Sequence, residues 1–524
     1  MSWTFKLPLI QAHERTPLVE QLLDIIQELK KQLDQTREEV ARLRGHKGKP
    51  HIKPSRLGQS KKADNKKTKE SRLPKTPESP DCEKIIRVEN LPEGARFKGY
   101  RHYRVQELIF YKETTLYRLE RWELSEGHYV TASLPAGISG GHFGPVLQAY
   151  VLHQHHHQGV TQPLLLNQLR ELKIDISSGQ LNNLLIEKKT HFHQEKEELL
   201  PAALSVSRYI HVDDTGARHA GKNGYCTHMG NERFAWFEST NSKSRLNFLK
   251  LLRHPHNDYV LNKASWVYMR RQKLASEVIK KLGTLTSSYF TDQSLWLSEL
   301  NRLEIIGHRH IKIATESALI GSLFHHGFRS DMVIMSDDAG QFNILTHILC
   351  WFHMERNIHK LMPSGAPQRE AVELVRTQIW DLYQRLKAYK MKPTLEEKLK
   401  LGKVFDALCQ QQTGYQLLNN QLGRIKENRK ELLLVLDRPE LPLHNNLSER
   451  DIREYVKRRK ISGSTRSEEG RKCRDTFASL KKTALKLKVS FWEYLIDRIT
   501  GQQKIPWLPE LIKHDHKRNT APVF

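Results

Sequence analysis

Cysteine is scarce: Cys82, Cys226, Cys350, Cys409 and Cys473 are the only five in 524 residues, and no two form a C-x-x-C pair. Neither a disulfide framework nor a zinc ribbon is encoded by such scattered thiols, and a reducing compartment is expected. Long apolar runs are also missing. No stretch of about 18 apolar residues exists to cross a bilayer, and Met1 to Ala12 is too short and poorly arranged for a secretory signal. The expectation is a soluble, cytoplasmic protein with no membrane partner. Acidic residues are the third shortage: 59 Asp and Glu face 85 Lys and Arg, a formal net charge of +26. Such an excess favours a polyanionic partner, with nucleic acid ahead of an anionic membrane surface.

At about 150 residues per domain, the length suggests three or four modules. In residues 1–44, Val19, Leu22, Ile26, Leu29, Leu33, Val40 and Leu43 fall at alternating steps of three and four, with Thr36 filling the one gap. That is a heptad seam, and it predicts a coiled coil and hence a homo-oligomer; one amphipathic helix packed on its own domain is the plainer alternative. Residues 45–83 form a basic linker poor in large apolar side chains. Residues 45–75 carry eleven Lys/Arg against Asp64 and Glu70, so Lys61, Lys62, Lys66 and Lys67 become candidates for lying along DNA phosphates, unless the linker is simply solvated.

Residues 84–134 read as a small all-β module, from β-branched and aromatic pieces such as YRVQELIFYKETTLYRLERWEL. Residues 135–200 turn helical, with Ser177 or Ser178 as an N-cap, and LNQLRELKIDISSGQLNNLL has a helix, turn, helix rhythm that makes this a possible DNA-binding module. In 201–353, RYIHVDDTG, YCTHMG and RFAWFES read as three strands and SKSRLNFLKLL as a helix. A mostly helical stretch follows, then the strands DMVIMSDDAG and THILCWFH. Residues 354–440 are a helical insertion, 441–500 a last basic helical part, and 501–524 a tail. The fold class is therefore α/β with helical and small β accessories.

Candidate chemistry lies in three acidic places. Asp213 and Asp214 follow Tyr209-Ile210-His211-Val212, Asp337 and Asp338 follow Val333-Ile334-Met335, and Glu449 opens a helix beside Asn445 and Asn446. Two-metal phosphoryl transfer needs carboxylates of this kind, because Mg²⁺ ions roughly 3.5–4 Å apart stabilise charge on the attacking and leaving oxygens. Acids at strand ends also cap turns, and alternation along a buried strand leaves the choice within each pair open. His153, His155, His156 and His157 lie in a helical tract without acid or Cys at ligand spacing, so no zinc is expected there. Cys350 and His353 on an aromatic-flanked strand read as core.

The segment HNNLSERDIREYVKRRKISGSTRSEEG carries the pattern N-N-x-x-E-R-x-x-R-x-x-x-x-R-R-K. Here the chain resembles the insertion sequence 66 family of prokaryotic transposases, with Glu449, Arg450, Arg453, Arg459 and Lys460 on the family's C-terminal signature. Asp213-Asp214-Thr215 resembles its first motif, Asp337 to Phe342 its second, and Cys350-Trp351-Phe352-His353 its C-W-x-H strand. The resemblance extends from the N-terminal helix and GHKGKP, Gly45 to Pro50, to the helix around Tyr494. It implies an RNase H-like core, a DDE triad of Asp213, Asp337 and Glu449 that both catalyses and holds two Mg²⁺ ions (Mn²⁺ as substitute), and cleavage and joining of double-stranded DNA at element ends and target. It also implies a prokaryotic, nucleoid-associated protein and small accessory proteins from the same element. Many family members carry a zinc-binding cysteine segment after the basic linker, where only Cys82 stands here, so no zinc is carried over.

From Arg450 to Lys488 there are fourteen Lys/Arg and five acids. Arg450, Arg453, Lys457, Arg458, Arg459 and Lys460 are accordingly expected to contact DNA beside Glu449. Two other classes fit the same residues: a catalytically inactive DNA-binding relic whose acids are turn residues, and a two-metal nuclease without strand transfer.

Overall fold

The computed structural model describes residues 142–520 continuously, most of 82–135, Ile138, and a few positions between Thr16 and Gln32. The basic linker with Lys61, Lys62, Lys66 and Lys67 lies outside the described residues, as do Leu33, Thr36, Val40 and Leu43 of the heptad seam. Its described members Val19, Leu22, Ile26 and Leu29 are helical, Val19 partly buried and the other three exposed.

Where a small β module is expected, the described residues of 84–134 form one short hairpin, β1 (Arg121–Glu123) against β2 (Tyr129–Thr131). Side chains such as Ile86, Val105 and Leu108 stay exposed, so no core accompanies them. Strand-forming residues express that preference by packing on a pleated, half-buried surface, and here they have no such surface among the described residues.

The central sheet is built from β3 (Tyr209–His219), β4 (Lys222–Gly230), β5 (Ala235–Thr240), β8 (Val333–Ser336) and β9 (Thr346–Leu349), in the order β5-β4-β3-β8-β9. β3, β4 and β5 are antiparallel, whereas β8 and β9 run parallel to β3. β8 is buried along its whole length, as expected of a central parallel strand written as a continuous apolar run. The three expected strands and the helix after them, Arg245–Leu252 capped by Ser244, all form. The helical stretch up to β8 also encloses a two-stranded ribbon, β6 (Tyr259–Val260) with β7 (Tyr289–Phe290).

The edge strand β5 is covered by the helix Glu468–Lys486. Backbone N–H groups of Ala235, Phe237 and Ser239 donate to Thr483 Oγ1 (3.1 Å), Ser479 Oγ (2.9 Å) and Asp475 Oδ2 (2.8 Å). Acceptors spaced four apart on one helix face thus satisfy every second residue of the strand, which removes an exposed pairing edge.

Residues 135–200 are not a separate body. Helices Pro145–Leu152, Gln162–Glu171, Ser178–Ile186 and Thr190–Val206 share one apolar core with β3, β5 and the C-terminal helices, from Ala149 to Ile512. Ser177 is the cap at the helix, turn, helix step: its Oγ accepts from Gln180 N while the Gln180 side chain accepts from Ser177 N, a reciprocal capping box. The expected C-terminal tail is largely the helix Leu508–Thr520, whose Leu508 and Ile512 are buried and whose first N–H donates to Glu195 Oε1 at 2.8 Å.

The helical insertion forms a second core around Ile379, Phe405 and Leu422, joined to the sheet through Leu349 and Trp351. THILCWFH is a strand only as far as Leu349. Trp351 opens the helix Trp351–His359, with Cys350 at its N-cap position, which swings His353 off the sheet and toward the acids.

A carboxylate site beside the end of β8

Parallel pairing sets the first two acids side by side. Tyr209 pairs with Val333, Ile210 with Ile334 and His211 with Met335, and the same offset continued past the end of β8 places Asp213 opposite Asp337. Burial raises the Asp213 carboxyl to about 7, with the charge of Asp337 the next cause and those of Asp214 and Glu449 adding to it. The Asp214 N–H, donating to Asp213 Oδ1 at 2.8 Å, opposes the shift.

Within each pair the two acids have different surroundings. Asp214 accepts from Thr227 Oγ1 at 2.6 Å and from Gln341 Nε2 at 3.1 Å, one bond on each oxygen. It therefore ties β3 to β4 and to the loop that follows Asp337. Asp337 accepts from Ala339 N at 3.1 Å and is half-buried, while Asp338 is exposed.

Glu449 is brought in by the helix Asn446–Ser462. Its entry is fixed by the fully buried Asn445, whose Nδ2 donates to Val212 O at 3.0 Å, whose Oδ1 pairs with His211 Nδ1 at 2.8 Å, and whose N–H donates to Cys350 Sγ at 3.1 Å. One turn on, Ser448 Oγ pairs with His228 Nδ1 at 2.7 Å. His228 Nε2 lies 3.2 Å from Asp451, which Lys486 also pairs at 2.5 Å. Burial pushes the Asp451 carboxyl up, but His228 and Lys486 outweigh it and hold the group well below the usual carboxylate range.

Glu449 Oε1 faces Arg356 Nη2 at 3.4 Å and His353 Nε2 at 3.5 Å. Burial lowers the His353 pKa and Arg356 adds to this, against the charges of Glu449 and Asp337, so His353 lies close to two of the three acids. Among the described residues, no three His, Cys, Asp or Glu side chains stand close enough as arranged to hold a metal ion. Asn445, His228, Gln341, His353 and Arg356 were not assigned to this site from the sequence, although Asn445 lies in the N-N-x-x-E spacing, Gln341 in the segment Asp337 to Phe342 and His353 in the C-W-x-H segment.

Of the expected DNA contacts, Arg450, Arg453, Lys457 and Lys460 are exposed on the Glu449 helix. Arg458 and Arg459 are turned away. Arg459 Nη1 donates to Gly216 O in the second half of β3, and Arg458 faces His156 and Arg474. Arg458 lies nine residues beyond Glu449, about two and a half turns at 3.6 residues per turn, and so on the opposite face. In the histidine tract, a π-helical turn at His153–Gln158, His156 is buried with its ring 4.1 Å from that of Phe477.

The profile of the Transposase IS66 family matches residues 140–260 and 316–473, which include Asp213, Asp337 and Glu449. A protein of Sinorhizobium fredii (strain NBRC 101917 / NGR234), described as "Uncharacterized protein y4jO", is 43% identical over 303 residues, 57% of this chain and 94% of that protein. No helix among the described residues is long and apolar enough to cross a membrane. The match over Asp213, Asp337 and the Glu449 helix, which takes in more than half of the sequence, shows that the chain belongs to the Transposase IS66 family.

Proposed function

We propose that the chain cleaves DNA at the ends of an insertion element and joins the freed 3′ ends to target DNA, using Asp213, Asp337 and Glu449 on an RNase H-like core. The observation that supports this reading is that the β3–β8 pairing runs to His211 and Met335, two residues short of Asp213 and Asp337 on the same offset, and that Asn445 fastens the start of the Glu449 helix to Val212, one residue before Asp213. Three antiparallel strands followed by two parallel ones is the strand order such a core has.

The donor chemistry suits a hard divalent cation. Burial, with the like charge of Asp337 next, pushes the Asp213 carboxyl to about 7, a cost a bound cation relieves, and among the described residues the carboxyl's only hydrogen bond is from the next backbone N–H. Asp213, Asp337 and Glu449 would hold two Mg²⁺ ions, which stabilise charge on the attacking and leaving oxygens of an in-line displacement. The chain's own residues do the positioning. Gln341 and Thr227 hold Asp214 away from that role. Arg356 and His353, now on Glu449, are placed to meet the phosphate once the carboxylate turns to a metal. Exposed Arg450 and Arg453 hold the DNA strand beside it.

Mg²⁺-dependent cleavage that is present in the wild type and lost in Asp213→Ala separates this reading from a non-catalytic relic, which binds DNA and cleaves it in neither form. A joining assay on pre-cleaved ends separates it from a nuclease, which would cut and fail to join.

Two further outcomes follow from the basic surfaces and the heptad seam. Neutralising Lys61, Lys62, Lys66 and Lys67 weakens binding to every sequence alike and flattens the salt dependence by a few units at most, from a slope near −0.9 per phosphate contact. Neutralising Arg450 and Arg453 reduces single-turnover cleavage more than binding; intact cleavage per bound complex would remove those two from the site. Two element ends must be held together, and the exposed Leu22, Ile26 and Leu29 belong to a seam long enough for about three heptads. Ile26→Lys with Leu33→Lys yields a monomer by sedimentation, and an unchanged mass assigns the oligomer to another contact. Accessory proteins of the same element complete the reaction in this reading.

A further inference from the structure

On the side of the Asn446–Ser462 helix away from Glu449, a cavity of about 120 Å³ opens between this helix, the helix Glu468–Lys486 and the turn His153–Gln158. Arg458, Arg474 and His156 line it. Arg474 is 8% exposed and His156 6%. The Nε of Arg458 is buried with no hydrogen-bond partner, as is the Nε2 of His156. Among the described residues, Arg458 Nη1 meets only the ring nitrogen Nδ1 of His156, at 3.2 Å, and Arg474 reaches only Gly463 O, at 3.4 and 3.5 Å.

The acids on the wall of this cavity are already engaged. Glu454 pairs with Lys481 and Lys482, each at 2.9 Å, and Asp451 pairs with Lys486 and His228. Among the described residues no carboxylate forms an ion pair with Arg458 or Arg474. Burial pulls the Arg458 guanidinium down to about 9, and the charge of Arg474 adds to this. An enclosed cation without a counter-charge costs several kcal/mol, and arginine cannot escape that cost by shedding its proton near neutral pH. Two such groups facing one cavity call for an anion between them.

We propose that this cavity is an oxyanion site that takes a phosphate group in the fork between Arg458 and Arg474, with the His156 ring beside it. Planar guanidinium forks match the oxygens of a phosphate. Exposed Lys457 and Gln158 at the rim leave it open to either a DNA backbone phosphodiester or free phosphate. The site is on the opposite face of the helix from Glu449, so its occupant is not the scissile phosphate. It needs neither the metal ions nor the catalytic assignment.

The test uses the full-length protein without metal. Inorganic phosphate, compared with chloride at equal ionic strength, raises the melting temperature of the wild type by a few degrees at concentrations well above its Kd. In Arg458→Met this phosphate shift is lost, and the variant melts in chloride at or above the wild-type temperature because the uncompensated cation is gone. If the Met variant does not fold, Arg458→Lys gives the same readout, with a reduced shift expected. An equal phosphate shift in variant and wild type overturns the proposal whatever DNA does. Given a lost shift, a fall in duplex affinity of about tenfold or more, the size of a charged hydrogen bond, identifies the DNA backbone as the source; unchanged duplex affinity identifies free phosphate.

Discussion

Asp213→Asn, Asp337→Asn and Glu449→Gln each lower Mg²⁺-dependent cleavage on the order of a thousand-fold while duplex binding persists, since a metal clamp supplies several kcal/mol of transition-state stabilisation and each 1.36 kcal/mol is tenfold in rate. Asp214→Asn and Asp338→Asn are milder. Asp214 is bonded on both oxygens by Thr227 and Gln341, and Asp338 faces solvent. Near-normal cleavage by any one of the first three variants removes that residue from the triad, and a reversed order within a pair swaps the assignment. The same substitution at Asp213 has a second readout. Its folded pKa, raised to about 7, lies above the unfolded carboxylate value, so its contribution to stability is fully present below about pH 4 and is lost as pH rises through 7. In chelator at pH 8, Asp213→Asn therefore melts higher than the wild type, by a few kcal/mol at most given about 1.4 kcal/mol per pH unit; near pH 4 the difference closes. A wild type as stable as the variant at pH 8 would mean that the carboxyl is not held buried beside Asp337.

Asn445→Ala destabilises the protein by about 2–4 kcal/mol, because Val212 O and the His211 ring each lose a buried partner and an unpaired buried polar group costs about 1–3 kcal/mol. Cleavage falls further than the loss of folded protein accounts for, since the same bonds set where the Glu449 helix begins relative to Asp213. Asn446→Ala, one residue into the helix and only partly buried, is the control. Equal effects of the two substitutions, in melting and in cleavage per folded molecule, would deny Asn445 this positioning role.

The strands bearing the first two acids were legible because their signal is local: Ile210 and Val212, and the run Val333-Ile334-Met335, are apolar in sequence and buried in the sheet. Glu449 was legible through a resemblance that rests on the spacing of charged residues along one helix. Other features were misread for identifiable reasons. Residues 84–134 have strand-forming composition, but that preference needs a packed neighbour, and one hairpin is what the described residues form. The basic run at Arg458-Arg459-Lys460 reads as one cationic patch along the chain, yet helical periodicity sends its members to different faces, Arg458 to the cavity wall and Arg459 to Gly216 O.

By itself the sequence determined the α/β class, the family resemblance and the three acidic places, because strand burial and helix periodicity are properties of neighbouring residues. Only the tertiary structure decided how the acids lie relative to one another, what holds them and which cations stay exposed among the described residues. His211 meets Asn445 across 234 positions of chain and Arg458 meets His156 across 302, and contacts between such distant segments are set by how the sheet, its edge helix and the histidine turn pack together, which no local pattern encodes.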